Sequence, residues 1–165
     1  MDDALFGIRE LTWSAPDGGL QLFDGANFSV SAGECVGLAG PSGSGKSTLL
    51  RCLVGLEPRD SGEVFWRGEP VTGEAFRRFR RRVVYVHQEP LDLAGTLGDN
   101  LAFAREMAAE VDGETLDADA QRDLLSELGL GDVEWARDFE DLSVGERQRA
   151  ALVRCLTLQP AALLL

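Results

Sequence analysis

Lysine, histidine and cysteine are scarce in this sequence, and each scarcity excludes a class of site. Lys46 is the only lysine and His87 the only histidine, while arginine supplies every other basic side chain. One histidine and three cysteines (Cys35, Cys52 and Cys155) without metal-ligand spacing exclude a zinc finger or a histidine-rich metal centre. The cysteines lie inside predicted strands or helices, so we expect buried thiols in a reducing compartment and no disulfides.

Long apolar runs and a net positive charge are also missing. No apolar run approaches the ~20 residues that cross a bilayer, and no basic-plus-apolar leader opens the chain. The 28 acidic residues outnumber the 16 basic ones and give a formal charge of −12, which argues against non-specific nucleic-acid binding. The 165 residues suffice for one domain with a buried core. We therefore expect a cytoplasmic protein that reaches the membrane only through another subunit, and no nucleic-acid partner.

A glycine-rich stretch carries the strongest functional signal. Gly40–Ser47 matches G-x-x-x-x-G-K-[ST], with a predicted strand at Cys35–Ala39 before it and a predicted helix at Lys46–Leu56 after it. The competing interpretation is a plain glycine- and serine-rich connection. Glycines let successive amides and the helix N-terminus face a phosphate, and a chain rich in arginine places its one lysine where a compact charge fits. The predicted phosphate-binding residues are Gly40, Pro41, Ser42, Gly43, Ser44, Gly45, Lys46, Ser47 and Thr48, with the Ser47 hydroxyl on magnesium.

The first third of the chain is predicted to be rich in antiparallel strands. The strands are expected at Leu5–Trp13, Leu20–Phe23, Ala26–Val30, Glu63–Trp66 and Glu69–Val71. Asp24-Gly25 and Arg67-Gly68 both have the composition of hairpin turns. This part therefore predicts an antiparallel β subdomain next to the phosphate loop.

The remainder alternates helices with two buried strands. The strands are expected at Val83–His87, which ends at Gln88, and at Ala161–Leu165; the helices at Glu74–Arg82, Leu97–Met107 and Asp117–Leu128, with a polar break at Asp112–Glu114. Glu74–Arg82 is strongly basic, which indicates a solvated helix face or, alternatively, a contact with an acidic partner or lipid headgroups. His87 is best interpreted as a residue that ends its strand.

Leu142–Arg149 opens a further predicted helix that runs to about Leu158. Ser143 is a good N-cap and Glu146 completes a capping box. A simple helix start would explain both residues. The functional alternative is a second anion site, made by the Ser143 hydroxyl, the Gly145 backbone and the positive end of the helix.

These motifs together resemble the nucleotide-binding domains of ABC transporters. Gly40–Ser47 is similar to their Walker A loop, Gln88 to their Q-loop glutamine, Leu142–Glu146 to their signature segment, and Trp13 to the aromatic residue that stacks on adenine. The resemblance implies an α/β P-loop NTPase core with a parallel sheet, an N-terminal antiparallel β subdomain and an inserted helical subdomain. One domain, partial at its C-terminal end, would cover 1–165: the β subdomain and P-loop core over 1–87, the Q-loop and helical subdomain over 88–142, and the signature helix and last core strand over 143–165.

The resemblance also implies a mechanism and partners. ATP and Mg²⁺ would be the ligands, with Lys46 and Gln88 as catalytic residues and Ser47 and Gln88 at the metal. Two such domains would face head to tail, so that ATP on one phosphate loop touches Ser143, Gly145 and Glu146 of the other. A membrane-spanning permease would contact the segment after Gln88, and closure on ATP would drive transport. Among such subunits, a metal or small-solute exporter is the preferred interpretation.

The sequence departs from the family pattern in three places. Val144 stands where glycine is usual and Glu146 where glutamine is common. The family also follows a strand such as Ala161–Leu165 with an aspartate, a glutamate and a later histidine, which this sequence does not contain. We therefore expect a fragment or truncated reading frame that binds ATP but does not hydrolyse it at a useful rate, because parts that position the reaction are missing. Steady turnover abolished by Lys46→Ala would contradict this expectation.

Two other functions remain as alternatives. A soluble ABC ATPase acting in DNA repair or translation would carry the same motifs, but such proteins usually have long insertions, which the short span from Gln88 to Leu142 does not accommodate. A P-loop kinase or GTPase would leave Leu142–Arg149 unexplained.

Overall fold

The computed structural model describes residues 4–16, 19–88, 91, 93–109 and 115–165. The predicted polar break at 112–114 and part of the turn at 16–19 lie outside these residues. The chain forms two compact units, Met1–Arg80 and Arg81–Leu165. The division at residues 87 and 142 stays a prediction.

The first unit is built on an antiparallel sheet. Its strands are β1 (Ala4–Ser14), β2 (Gln21–Ser31), β3 (Ser61–Trp66) and β4 (Glu69–Pro70), in the order β2-β1-β3-β4. Apolar residues of β1 and β3 are fully buried and form the core of this sheet: Phe6, Ile8, Leu11 and Val64. The predicted turn between β3 and β4 is confirmed, because Arg67 and Gly68 both have positive φ (49° and 86°), as a tight hairpin turn requires.

The predicted hairpin at Asp24-Gly25 is wrong, since β2 runs through it as one strand. The register with β1 slips between the Leu11–Ala26 and Trp13–Phe23 pairs, which leaves one extra residue on β2. Gly25 takes φ 65° at this bulge, and its amide donates to Thr12 Oγ1 at 3.2 Å. A glycine at positive φ serves a bulge as well as a turn, so the dipeptide alone does not distinguish them.

The predicted strand at Cys35–Ala39 is also wrong. Residues 34–41 have no regular structure and are exposed, including Val36 and Leu38 at 43% and 41%. An apolar run becomes a strand only where a neighbouring strand completes its hydrogen bonds, and among the described residues none pairs with it. Cys35 is consequently exposed, contrary to the expectation of a buried thiol.

Two helices have all or most of their residues in the first unit. Helix α1 (Lys46–Leu53) begins at the predicted residue but ends before Leu56, because Gly55 turns the chain at φ 67°. It buries Cys52, and this burial raises the pKa of the thiol to about 11. Helix α2 (Ala75–Arg82) confirms the predicted basic helix, with only Phe79 buried.

The described residues of the second unit combine a parallel strand pair with three α-helices and a short 3-10 helix at Phe139–Asp141. Strands β5 (Val83–Tyr85) and β6 (Ala162–Leu164) pair in parallel, which confirms both predicted strands in shorter form. The helices are α3 (Leu97–Ala109), α4 (Ala118–Glu127) and α5 (Val144–Leu156). Their shared core contains Leu97, Leu101, Leu125, Leu130, Phe139, Leu142, Ala150 and Val153. No helix in the described parts of the chain is long and apolar enough to cross a membrane.

Candidate functional site

The phosphate loop, Gly40–Ser47, is a tight turn that opens directly into α1. Gly43 and Gly45 lie at φ 81° and 89°, a region that side-chain-bearing residues rarely enter. The Ser44 amide donates to the Pro41 carbonyl at 3.2 Å and closes the turn. The glycines predicted to shape this loop therefore do so at the two positions where positive φ is needed.

Lys46 is folded over this turn. Its Nζ donates to the carbonyl oxygens of Gly40 and Pro41, both at 2.9 Å. An ammonium group has three N–H donors, so one remains available to a ligand. The side chain thus ties the two ends of the loop together and keeps a positive charge at its mouth.

The backbone of the loop is left bare, as an anion site requires. A Cβ on Gly40 would come within 2.7 Å of Ser44 Oγ. Helix α1 has Gly45 as its N-cap and no side-chain capping bond, while its first intrahelical bond runs from the Leu49 amide to Gly45 O at 2.8 Å. The first-turn amides therefore have no capping side chain to satisfy them. These features fit a phosphate group, and the exposed Ser47 lies in the first turn where its hydroxyl could reach a metal ion.

Trp13 belongs to the same unit as the loop. It pairs with Phe23 across the β1–β2 ladder and is half-buried. A Cβ on Gly45 would lie 2.9 Å from Phe23 Cζ, so β2 passes directly beneath the loop. The predicted adenine-stacking residue thus stands one strand away from the strand that supports the loop.

The signature segment, Leu142–Glu146, has the predicted capping box at the start of α5. The Glu146 amide donates to Ser143 Oγ at 3.3 Å, and the Ser143 amide donates to Glu146 Oε2 at 2.7 Å. The Ser143 hydroxyl accepts this bond, and its single O–H donates to the Glu146 carboxylate, so an anion would have to share that donor. Gly145 follows with no side chain of its own over the helix end.

Glu146 is held in its charged form. The hydrogen bonds from the Ser143 side chain and backbone, helped by the charges of Arg137 and Arg149, hold the pKa of this carboxyl below its usual value. The Arg137 guanidinium lies 3.8 Å from Glu146 Oε1. The capping box is thus an ionic one, with two arginines facing its carboxylate.

Gln88 is exposed and lies three residues beyond the end of β5. Because β5 and β6 are parallel, Gln88 and Leu165 leave the same edge of the strand pair. His87 packs edge-on against Tyr85 at 4.7 Å, in agreement with its interpretation as a strand-end residue. Among the described residues no three histidine, cysteine or acidic side chains gather in a metal-binding group.

Sequence reasoning missed two arginines that brace the signature segment. Arg137 donates to Asp141 O at 2.6 Å, and Arg147 donates to Glu140 O and Leu142 O at 3.0 and 2.8 Å. A cation near a helix N-terminus is unfavourable to the helix dipole, so a bracing role for arginines is not expected here from the sequence pattern. Their contacts with carbonyl oxygens explain them, since these carbonyls precede the helix.

Comparison with known proteins gives one consistent family. Residues 23–165 match the family described as ABC transporter. The sulfate/thiosulfate import ATP-binding protein CysA of Synechococcus elongatus is 39% identical over 165 residues, which cover 99% of this chain and 46% of that protein. The methionine import ATP-binding protein MetN of Rhizobium etli is 37% identical over 151 residues, covering 89% and 41%. The chain thus spans about half the length of the curated relatives it matches.

Solved structures agree on the fold. The structure of cbiO1 from Clostridium perfringens, part of the ABC transporter complex cbiONQ, has a TM-score of 0.76 and 23% identity, and the match covers 98% of this chain and 64% of that one. At this identity the likeness shows the fold alone. It confirms the predicted α/β class, and the family match removes the kinase or GTPase alternative.

The role of the capping box can be tested by measuring the pKa of Glu146. Ser143→Ala is expected to raise the pKa of Glu146 toward its ordinary value, because the charged carboxylate loses the partner that favours it most. Since the folded-state pKa is lowered, the stability that Glu146 contributes is present above its unfolded pKa and is lost as pH falls through the folded value. NMR titration of the glutamate side-chain carboxyls measures the shift. Ser126→Ala, an exposed serine on α4, is the control, and an unchanged Glu146 pKa in Ser143→Ala would contradict the capping role.

Proposed function

This chain belongs to the ABC transporter family, and on that premise we propose that it is the ATP-binding, energy-coupling part of a membrane importer. The observation that carries the proposal is the Lys46 ammonium held over a bare glycine turn at the uncapped start of α1. A triphosphate is the ligand whose charge and size suit such a loop. ATP supplies the free energy of phosphoryl transfer when it is bound.

Different groups of the proposed site would bind different parts of MgATP. The amides at the start of α1 would donate to phosphate oxygens, and the third N–H of Lys46 would donate to an outer phosphate. The Ser47 hydroxyl would ligate Mg²⁺. A metal-ligand role for Gln88 remains what the family resemblance implies. Trp13 would stack on the adenine ring, which the loop itself does not recognise.

The signature segment supports a second, weaker anion site. Ser143 has one O–H, which it shares with the Glu146 carboxylate, and Glu146 already takes part in two of the local backbone hydrogen bonds. Gly145 adds no side chain of its own, and Arg149 Nη1 lies 3.3 Å from where a Cβ would stand. A site with so few donors is incomplete by itself. We infer that it serves a second copy, whose bound ATP it would touch in a head-to-tail dimer, so that nucleotide closes the dimer and hydrolysis reopens it.

The relatives support a permease partner and import as the direction of transport. The sulfate/thiosulfate and methionine proteins are both named import ATP-binding proteins, and they give no support to the preference for an exporter. We therefore propose import of a small solute, with the permease contacting the segment after Gln88 and holding the subunit at the cytoplasmic face of the membrane. Catalysis in the whole protein would use Lys46 for charge stabilisation and Gln88 for positioning water.

Lys46→Ala is expected to weaken MgATP binding by about 10- to 100-fold, because a charge-assisted hydrogen bond contributes about 1.5–3 kcal/mol. Isothermal titration calorimetry on the chain measures the change. Arg78→Ala removes the same charge from an exposed position of α2 and should leave the affinity unchanged. Equal losses in both variants would mean that net charge alone attracts the nucleotide, and the proposed site would be wrong.

Trp13→Ala is expected to weaken ATP binding by about 5- to 100-fold, since stacking of a base on an aromatic ring is worth about 1–3 kcal/mol. Inorganic tripolyphosphate has no base, so its affinity should not change in the same variant. Trp13→Phe should retain most of the ATP affinity. If Trp13→Ala weakens both ligands alike, the side chain supports the loop and does not recognise adenine.

A further inference from the structure

Arg154, on α5, reaches a segment far from it in the sequence. We call this the pre-α3 segment; it lies between Gln88 and α3, and its described residues are Leu91 and 93–96. Arg154 Nη2 donates to the Leu91 carbonyl at 2.8 Å, and its Nη1 donates to Asn100 Oδ1 at 2.7 Å. The guanidinium also lies 5.6 Å from the ring centre of the buried Phe139. A planar guanidinium can hold two such acceptors at fixed angles, which an ammonium cannot.

Asn100 extends the same attachment. Its side chain is 1% exposed, and its Nδ2 donates to the Leu93 and Thr96 carbonyls, both at 3.0 Å. Together with the Arg154 bond, three backbone carbonyls of the pre-α3 segment are held by one arginine–asparagine pair. Because these three hydrogen bonds are made to backbone carbonyls, they hold the backbone at Leu91, Leu93 and Thr96 and do not depend on the side chains there.

A second attachment joins the end of this segment to the chain just before the signature. The Leu97 amide donates to Arg137 O and the Phe139 amide to Gly95 O, both at 2.9 Å. Thr96 and Asp138 form the bridge between these bonds. The pre-α3 segment is therefore bound both to the helix that Ser143 opens and to the residues that precede Ser143.

We propose that Arg154, acting with Asn100, is a positioning residue that fixes the pre-α3 segment to α5, so that this segment and the anion site at Ser143 move as one body. The inference rests on the proposed function, in which the segment after Gln88 meets the permease and Ser143 meets nucleotide. A displacement of the pre-α3 segment by the permease would then move Ser143 as well, and the reverse, without any rearrangement within the second unit. Arg154 touches neither ligand.

A distance measurement between two spin labels tests this directly. The labels go on Leu91→Cys and Val144→Cys, which are exposed positions at 63% and 61%, and Leu91 contributes only its backbone carbonyl to the Arg154 bond. The native cysteines Cys35, Cys52 and Cys155 are first replaced by alanine. Double electron–electron resonance should give one narrow distance peak in this parent chain.

Arg154→Ala and Asn100→Ala should each lose the narrow peak. Adding guanidinium ion at sub-denaturing concentration should restore it in Arg154→Ala, while sodium chloride at equal ionic strength should not. Arg105→Lys is the matched control, because Arg105 is bonded to Gln121 in the same unit and touches neither Asn100 nor the pre-α3 segment. It should keep the narrow peak.

Three outcomes would overturn the proposal. A narrow peak retained in Arg154→Ala would show that the pair does not hold the segment. Equal broadening in Arg105→Lys, or failure of guanidinium to restore the peak, would show a general loosening of the unit. Calorimetry with MgATP on the same samples measures binding at the phosphate loop, which lies in the other unit. Loss of MgATP binding would contradict the proposed function, whereas the distance peak alone tests the role of Arg154.

Discussion

A positive charge can stand over a turn of backbone only where no side chain fills the space, and the proposed nucleotide chemistry of this chain depends on that condition. Gly43 and Gly45 take positive φ, Gly40 lacks the Cβ that would strike Ser44, and Lys46 closes the turn through two carbonyl oxygens. A side chain at any of the three glycines would move the amides or displace the ammonium. The sheet of the first unit supports this loop, because β2 passes beneath Gly45. Trp13 lies on β1, the strand that pairs with β2.

The two helix starts that the sequence marks as anion sites differ in chemistry. Helix α1 begins at a glycine without a capping side chain, so its first amides are left to a ligand. Helix α5 is capped by its own Ser143 and Glu146, which satisfy each other's backbone amides, and the single hydroxyl proton of Ser143 is shared with the Glu146 carboxylate. The first site has the donors to bind a phosphate by itself, whereas the second can only add to an anion that another site holds. This asymmetry is the physical reason for expecting that the second site works on a partner's nucleotide.

The features that the sequence predicted well are those that neighbouring residues determine. The capping box at Ser143, the start of α1 at Lys46 and the turn at Arg67-Gly68 each follow from residues within one turn of chain. Cys35–Ala39 failed because a strand depends on a partner elsewhere, and Asp24-Gly25 failed because bulge and hairpin need the same glycine. The pairing of Arg154 with Asn100 spans 54 residues and has no sequence pattern at all, so only the fold reveals it.

The charge at position 146 affects how strongly the second site can act. Where the family commonly has a neutral glutamine, this chain places a carboxylate whose pKa is lowered by Ser143, so it is ionised under physiological conditions. A negative charge beside Ser143 repels a phosphate, although it favours the helix itself. Arg137 and Arg149 face that carboxylate and offset part of its field. In the proposed dimer, the affinity of this site for a partner's nucleotide would be a balance between one carboxylate and two guanidinium groups, and the arginines would act as part of the site even though no motif contains Arg137.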